Sequence, residues 1–131
     1  MPFVVDASVA ASWAFEEQHP DADRAFQRLK SDISLAPRLF WFEIRNLLLM
    51  DERRTHRRAG DTEAFLAVLD RIPIRFDDSP DEKEILALAR KHRLSVYDTA
   101  YLELARRHRV PLSTLDGDLI RAARAERVSL L

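Results

Sequence analysis

The 131-residue sequence has no cysteine, only two glycines and no long apolar run. Without cysteine the chain can form neither a disulfide nor a thiolate metal site. The scarcity of glycine, together with only six prolines, argues against a disordered or low-complexity chain. No apolar run approaches the length that crosses a bilayer, and the first residues lack a signal-peptide pattern. We therefore expect a cytoplasmic globular protein without membrane contact.

The composition is that of one folded domain. With 47% hydrophobic and 33% charged residues, the chain is long enough for one buried core and too short for two ordinary domains, so we expect a single domain over 1–131. The net charge is −1, yet residues 1–89 carry 12 basic and 17 acidic side chains and residues 90–131 carry 9 and 5. A basic balance can mark a surface that faces nucleic acid, but solvated helix faces explain it about as well.

Short apolar runs alternate with amphipathic segments along the chain, which predicts alternating strands and helices. The predicted strands are 3–5, 33–35 (ended by a proline at 37), 72–76, 112–115 and 128–130. The predicted helices are 7–15, 21–30, 39–54, 61–70, 80–91, 97–108 and 117–125. This alternation favours an α/β fold, a three-layer α/β/α sandwich around a central, mostly parallel sheet.

Three aspartates lie at positions where a fold of this kind binds ligands. Asp6 and Asp116 each follow a predicted strand, and Asp98 opens a predicted helix. Because ligands bind beyond the carboxyl ends of parallel strands, all three would face one crevice. Each also has an ordinary alternative as a helix cap, and Ser95 with Asp98 matches a capping box.

Glu43 is a fourth acidic residue that needs an explanation. The predicted helix 39–54 has its expected inward stripe at Leu39, Phe42, Leu47 and Met50. Glu43 lies four residues from both Leu39 and Leu47 and would share that stripe, with Asn46 one turn on. A carboxylate facing the core is costly unless it is paired or binds a cation. The alternative is a glutamate at the edge of the stripe, paired with an arginine.

Carboxylates that meet in one crevice repel one another unless a cation lies between them. The four histidines, His19, His56, His92 and His108, fall in exposed or helix-end settings, so zinc is not expected. Oxygen ligands favour Mg²⁺ or Mn²⁺ instead.

The motifs around these four acids, in this order and spacing, resemble the PIN-domain family. They are Val-Val-Asp6-Ala-Ser8, Phe-Glu43-Ile-Arg-Asn46, Leu-Ser-Val-Tyr-Asp98-Thr-Ala-Tyr-Leu and Leu-Ser-Thr114-Leu-Asp116-Gly-Asp118. In size and detail the chain is most similar to the VapC-type toxins of toxin–antitoxin pairs. A departure is Arg45, where relatives often carry a small or apolar residue; if it faced inward it could pair with Glu43.

The resemblance implies roles for these residues. The catalytic acids would be Asp6, Glu43, Asp98 and Asp116, and the metal ligands Asp6, Asp98 and Asp116. Glu43 would complete the site or orient the attacking water. The supporting residues would be Ser8, Asn46, Thr114 and Asp118.

The resemblance also implies an endoribonuclease toxin that uses Mg²⁺ or Mn²⁺ and cleaves RNA with a metal-activated water. Its expected partners are an RNA substrate, a cognate antitoxin, and a second copy in a homodimer and in toxin–antitoxin hetero-oligomers. Trp13, Trp41 and Phe42 are candidates for these contacts, although we expect them in the core.

Two alternatives compete with this interpretation. The first is a non-catalytic PIN-like module that binds RNA or protein; it has no reason to keep four mutually repelling acids. The second, a phosphate-accepting receiver domain, is excluded because residues 92–131 contain no lysine.

Overall fold

The computed structural model describes residues 1–15, 17 and 19–131. Its strands are β1 (Phe3–Val5), β2 (Ser34–Pro37), β3 (Ile74–Asp77) and β4 (Leu112–Ser113). Its helices are α1 (Ala7–Ala14), α2 (Pro20–Arg28), α3 (Leu39–Thr55), α4 (Ala59–Leu69), α5 (Glu82–His92), α6 (Val96–His108) and α7 (Gly117–Ala125). None of these helices is long and apolar enough to span a membrane.

The four strands form one parallel sheet in the order β3-β2-β1-β4. Strand β1 is central, with Val4 paired with Leu35 of β2 and with Leu112 of β4. All three of its residues are fully buried, as expected for a strand that is covered on both faces. The predicted α/β class with a central parallel sheet is confirmed, and the sheet brings the carboxyl ends of β1 and β4 to one edge.

Helix α6 packs directly on the sheet and buries large side chains there. Tyr101, Leu102 and Leu104 are at most 1% exposed, and the helix packs on both β1 and β2. Helix α1 buries mainly small residues, among them Ala7, Ala10 and Ala11. Helix α1 begins at Ala7, directly after β1, and therefore starts at the sheet edge at which β1 and β4 end.

Two predicted details of the strands differ from the structure. The strand predicted at 128–130 is only an isolated parallel bridge between Leu130 and Leu112. Pro37 is the last residue of β2, so the strand includes it. The predicted helix starts and ends are otherwise close to the observed ones.

The buried face of α3 was predicted wrongly. Its buried residues are Phe40, Ile44, Leu48 and Asp51, whereas Phe42 is 66% and Met50 53% exposed. Residues 39–42, 44 and 47–50 are all apolar, and only residues 43, 45 and 46 between them are polar. More than one helical stripe therefore fitted the sequence pattern. Glu43 consequently lies at the edge of the buried face and is half-buried.

Candidate active site

Asp6 is held in place by two hydroxyl groups. It follows β1 and is only 7% exposed, and its backbone N–H donates to the Ser113 carbonyl oxygen at 3.0 Å. Its Oδ2 accepts hydrogen bonds from Thr114 Oγ1 at 2.7 Å and Ser8 Oγ at 2.8 Å. Although Asp6 occupies the N-cap position of α1, its side chain does not cap that helix. The capping alternative for Asp6 is therefore wrong.

The same two hydroxyls bind the loop after β4. Ser8 Oγ accepts the N–H of Leu115 at 3.2 Å, and Thr114 Oγ1 accepts the N–H of Asp116 at 3.1 Å. Each hydroxyl thus donates to Asp6 and accepts from the loop, which ties the start of α1 to the segment before α7. This contact joins residues more than 100 positions apart and fixes the orientation of the Asp6 carboxylate.

No positively charged side chain of the described residues forms an ion pair with Asp6. Burial raises the pKa of Asp6 above its ordinary value. The hydrogen bonds from Thr114 and Ser8 oppose this shift, and the negative charge of Asp98 adds to it.

Glu43 is fixed by Tyr101. The Tyr101 hydroxyl, which is fully buried on α6, donates to Glu43 Oε1 at 2.6 Å. Burial raises the pKa of Glu43, and the charges of Asp6 and Asp98 raise it further against the effect of the tyrosine donor. Tyr101 was not among the predicted site residues; the signal that could have found its role is a tyrosine rather than a phenylalanine at a buried position.

Arg45 does not pair with Glu43. Its guanidinium lies over the Trp41 ring at 3.6 Å from the centroid, and it donates to the Trp41 carbonyl oxygen at 2.9 Å. Although Arg45 departs from the family pattern, it therefore does not neutralise Glu43. Trp41 itself is 44% exposed, so the expectation that it lies in the core is wrong. The same holds for Phe42.

Asp98 and Asp116 differ in what their side chains do. Ser95, not Asp98, is the N-cap of α6, and its Oγ accepts the N–H of Asp98 at 3.0 Å. Burial raises the pKa of Asp98, and the charges of Asp116 and Asp118 also raise it. Asp116 does cap α7, since its Oδ1 accepts the N–H of Leu119 at 3.0 Å.

The two remaining supporting residues lie at the surface. Asn46 is exposed, and its amide donates to Met50 Sδ at 3.6 Å. Asp118 is 68% exposed and pairs with Arg121 at 2.9 Å. Trp13 is half-buried and donates its indole N–H to the Ala22 carbonyl oxygen at 2.8 Å, which is a structural contact.

We call Asp6, Glu43, Asp98 and Asp116 the acidic cluster. Three of the four have raised pKa values, each in part through the charge of another member. Oxygen donors with this excess of negative charge fit a hard divalent cation in chemistry. Within the described residues, no three His, Cys, Asp or Glu side chains are already arranged to hold an ion. The carboxylates of Asp6, Glu43 and Asp116 are instead held by hydroxyl or N–H donors.

The model of the PIN domain family matches residues 3–125. The chain belongs to the PIN domain family. A crystal structure of PAE2754 from Pyrobaculum aerophilum is similar to this PIN domain, with a TM-score of 0.68 and 25% identity over 93% of this chain and 87% of that one. No curated protein matches the sequence. PIN domains are generally nucleases and generally use divalent metal ions, so the fold and the acidic cluster agree in the class of chemistry they indicate.

Proposed function

We propose that this PIN domain is a metal-dependent endoribonuclease that works with Mg²⁺ or Mn²⁺. The observation that carries the proposal is Asp6, a buried carboxylate beside Glu43 and Asp98. Among the residues that the structure describes, Asp6 has hydroxyl partners but no cationic one. A buried carboxylate without a cation is unfavourable for folding alone. A divalent ion at this position would offset that cost.

The proposed ligands are Asp6, Asp98 and Asp116. A bound divalent ion supplies activation of water and neutralisation of charge at the phosphate. Ser8 and Thr114 hold the Asp6 carboxylate in one orientation. Tyr101 holds Glu43 through its Oε1, which leaves Oε2 to accept a proton from the attacking water. The raised pKa of Glu43 suits that role, because a general base works best when its pKa approaches the working pH.

The finer proposal is a VapC-type toxin that acts in the cytoplasm and is inhibited by a cognate antitoxin. The resemblance of the four motifs supports it, as does the exposure of Trp41 and Phe42, because large exposed apolar side chains are typical of protein contacts. A homodimer and a toxin–antitoxin hetero-oligomer are the assemblies we propose.

The nuclease proposal is tested with purified wild-type protein and labelled RNA. Cleavage is expected with Mg²⁺ or Mn²⁺ and none in EDTA, with 5′-phosphate and 3′-hydroxyl ends at the products. Full activity in EDTA or cyclic 2′,3′-phosphate ends would contradict the metal-water mechanism. RNA binding without cleavage under any divalent metal would favour the non-catalytic module.

The toxin proposal needs a separate experiment. Expression of this chain alone in a bacterium is expected to stop growth, and co-expression of the neighbouring gene is expected to restore it. Normal growth with abundant folded protein, in a host whose RNA the purified protein cuts, would contradict the toxin role.

A further inference from the structure

A cavity of about 380 Å³ opens between the starts of α3 and α6 and the loop from β3 to α5. Its apolar walls include Pro37, Leu39, Pro80, Ile85, Val96 and Leu104. This volume lies within the roughly 300–1,000 Å³ that is typical of small-molecule pockets. None of the proposed catalytic residues lines it.

The cavity adjoins the acidic cluster. Leu39 lines it from α3, and Glu43 lies one helical turn further along the same face. Tyr97 lines it from α6, and Tyr101 lies one turn further along. Because a turn of helix rises about 5.4 Å, the cavity begins about one turn away from the hydrogen bond between Tyr101 and Glu43.

The charged groups at the cavity are already paired. Arg38 makes two hydrogen bonds to Asp78, at 2.6 and 2.7 Å. Arg107 donates to Glu103 at 2.7 Å and to Asp77 at 2.9 Å. Two arginines thus face three carboxylates, so the cavity offers no excess positive charge to a phosphate. An uncharged group with polar edges fits it better.

Tyr97 provides an aromatic surface at this cavity. It is 66% exposed, and it is next to Asp98 in the sequence. Aromatic side chains stack on the bases of single-stranded RNA, whose polar edges then bind nearby donors and acceptors. Arg38 lines the same cavity, and its hydrogen bonds to Asp78 use only Nε and Nη2, so among the described residues its Nη1 hydrogens remain as donors for a base edge.

We infer that this cavity is a subsite for one unpaired base of the RNA, adjacent to the phosphate that the acidic cluster cleaves. The inference rests on the proposed ribonuclease function and adds to it the element that selects the nucleotide. Its occupant is a flat, uncharged nucleobase that stacks on Tyr97, not a phosphate.

The test measures RNA affinity separately from cleavage. Fluorescence anisotropy in EDTA gives the Kd for oligoribonucleotides that carry one abasic residue, moved one position at a time. Tyr97→Ala removes the stacking ring, Tyr97→Phe keeps it, and Ala100→Met fills the cavity from α6. Val68→Ala is the control, because Val68 on α4 is also exposed, at 52%, and does not line the cavity.

For intact RNA, Tyr97→Ala and Ala100→Met are each expected to weaken binding by roughly 5- to 100-fold. Tyr97→Phe and Val68→Ala are expected to bind like the wild type. For the wild type, an abasic residue at one position should weaken RNA binding by the same factor. For Tyr97→Ala, the abasic residue at that position should weaken binding no further, because both changes remove the same stacking contact.

The subsite is overturned if Tyr97→Ala binds every RNA as the wild type does, or if Val68→Ala weakens binding equally. It is also overturned if the cavity variants change only self-association, measured by sedimentation, since the occupant would then be a protein side chain. If the wild type cleaves RNA and Tyr97→Ala binds RNA as tightly as the wild type does, the subsite alone is rejected. Base-dependent binding without cleavage in any divalent metal rejects the nuclease proposal alone, and no measurable RNA binding rejects both.

Discussion

Two groups of acids in this PIN domain differ in what neutralises them. In the acidic cluster, burial raises the pKa values of Asp6, Glu43 and Asp98, and their partners are hydroxyls and N–H groups. In the second group, which we call the ion-pair cluster, Arg107 bridges Asp77 and Glu103. There the hydrogen bonds from Arg107 hold the pKa of Asp77 well below its usual range.

The comparison separates acids that stabilise the fold from acids that do not. Glu103 is 1% exposed and Asp6 is 7% exposed, so burial alone does not distinguish them. The difference is the cation: the chain supplies one to Glu103 and none, among the described residues, to Asp6. Carboxylates that repel one another and have no cationic partner indicate a functional site, because they do not stabilise the fold.

The largest expected effect is on RNA cleavage by Asp6→Asn. The amide keeps the shape of the side chain but removes the charge that a divalent ion requires, so single-turnover cleavage should fall by at least about 10²–10³-fold. Asp118→Asn is the control, because that carboxylate is exposed and paired with Arg121, and it should lose less than about tenfold. Equal losses in the two variants would mean that the acidic cluster is not the reacting centre.

The second expected effect is on stability, in the ion-pair cluster. Arg107→Met leaves the buried Glu103 carboxylate without a cation, so the free energy of unfolding should fall by about 3 kcal/mol in urea titrations. Arg121→Met removes an exposed pair on α7 and should cost less than about 1 kcal/mol. A loss for Arg107→Met no greater than that of Arg121→Met would remove the contrast between the clusters.

A third effect concerns metal ions and stability. At a Mg²⁺ concentration of about a hundred times the dissociation constant, the wild type should gain roughly 2.7 kcal/mol, seen as a higher melting temperature. Asp98→Asn should respond much less. In EDTA this variant should melt at the same or a higher temperature than the wild type, since it loses repulsion and Ser95 remains the cap of α6.

The outcome that contradicts this expectation is a wild type that does not respond to Mg²⁺ and an Asp98→Asn variant that is less stable in EDTA. A loss of roughly 0.5–2 kcal/mol there would assign Asp98 to the helix end instead.

The smallest effect is the pH dependence of stability in EDTA. The pKa values of Asp6, Glu43 and Asp98 are raised on folding, so their contribution is complete below about pH 4 and is lost as the pH rises through the folded values. Asp77 has a lowered pKa, so its contribution is present above about pH 4 and is lost as the pH falls.

Urea titrations from pH 4 to 7 check the sign. The stability of Asp6→Asn relative to the wild type should increase with pH, because the variant has no charge to gain at that position. If the difference in the free energy of unfolding between the two proteins does not change with pH, the pKa of Asp6 is not raised by folding.

The sheet could be predicted from the sequence because its strands are short apolar runs with clear ends. The face of α3 could not, since Phe40 and Phe42 are equally apolar and only contacts with distant elements decide which is buried. Sequence periodicity contains no information on such contacts when both faces are apolar.

The site shows the same limit. Asp6 and Asp116 both follow a strand and precede a helix, yet only Asp116 caps its helix. The difference arises from Thr114, whose hydroxyl reaches Asp6 across 108 positions of sequence. The motifs predicted which acids approach one another, whereas the hydroxyl and tyrosine contacts that hold them depend on tertiary packing.

The central claim, that the acidic cluster is a divalent-cation site, is tested most directly by titrating the protein with Mn²⁺ and measuring free Mn²⁺ by electron paramagnetic resonance. Saturable binding is expected for the wild type, weakened at least about tenfold in Asp6→Asn and Asp98→Asn. Asp77→Asn, whose carboxylate belongs to the ion-pair cluster, is expected to bind Mn²⁺ like the wild type. Absence of saturable binding in the wild type, or equal binding in all four folded proteins, would contradict the account.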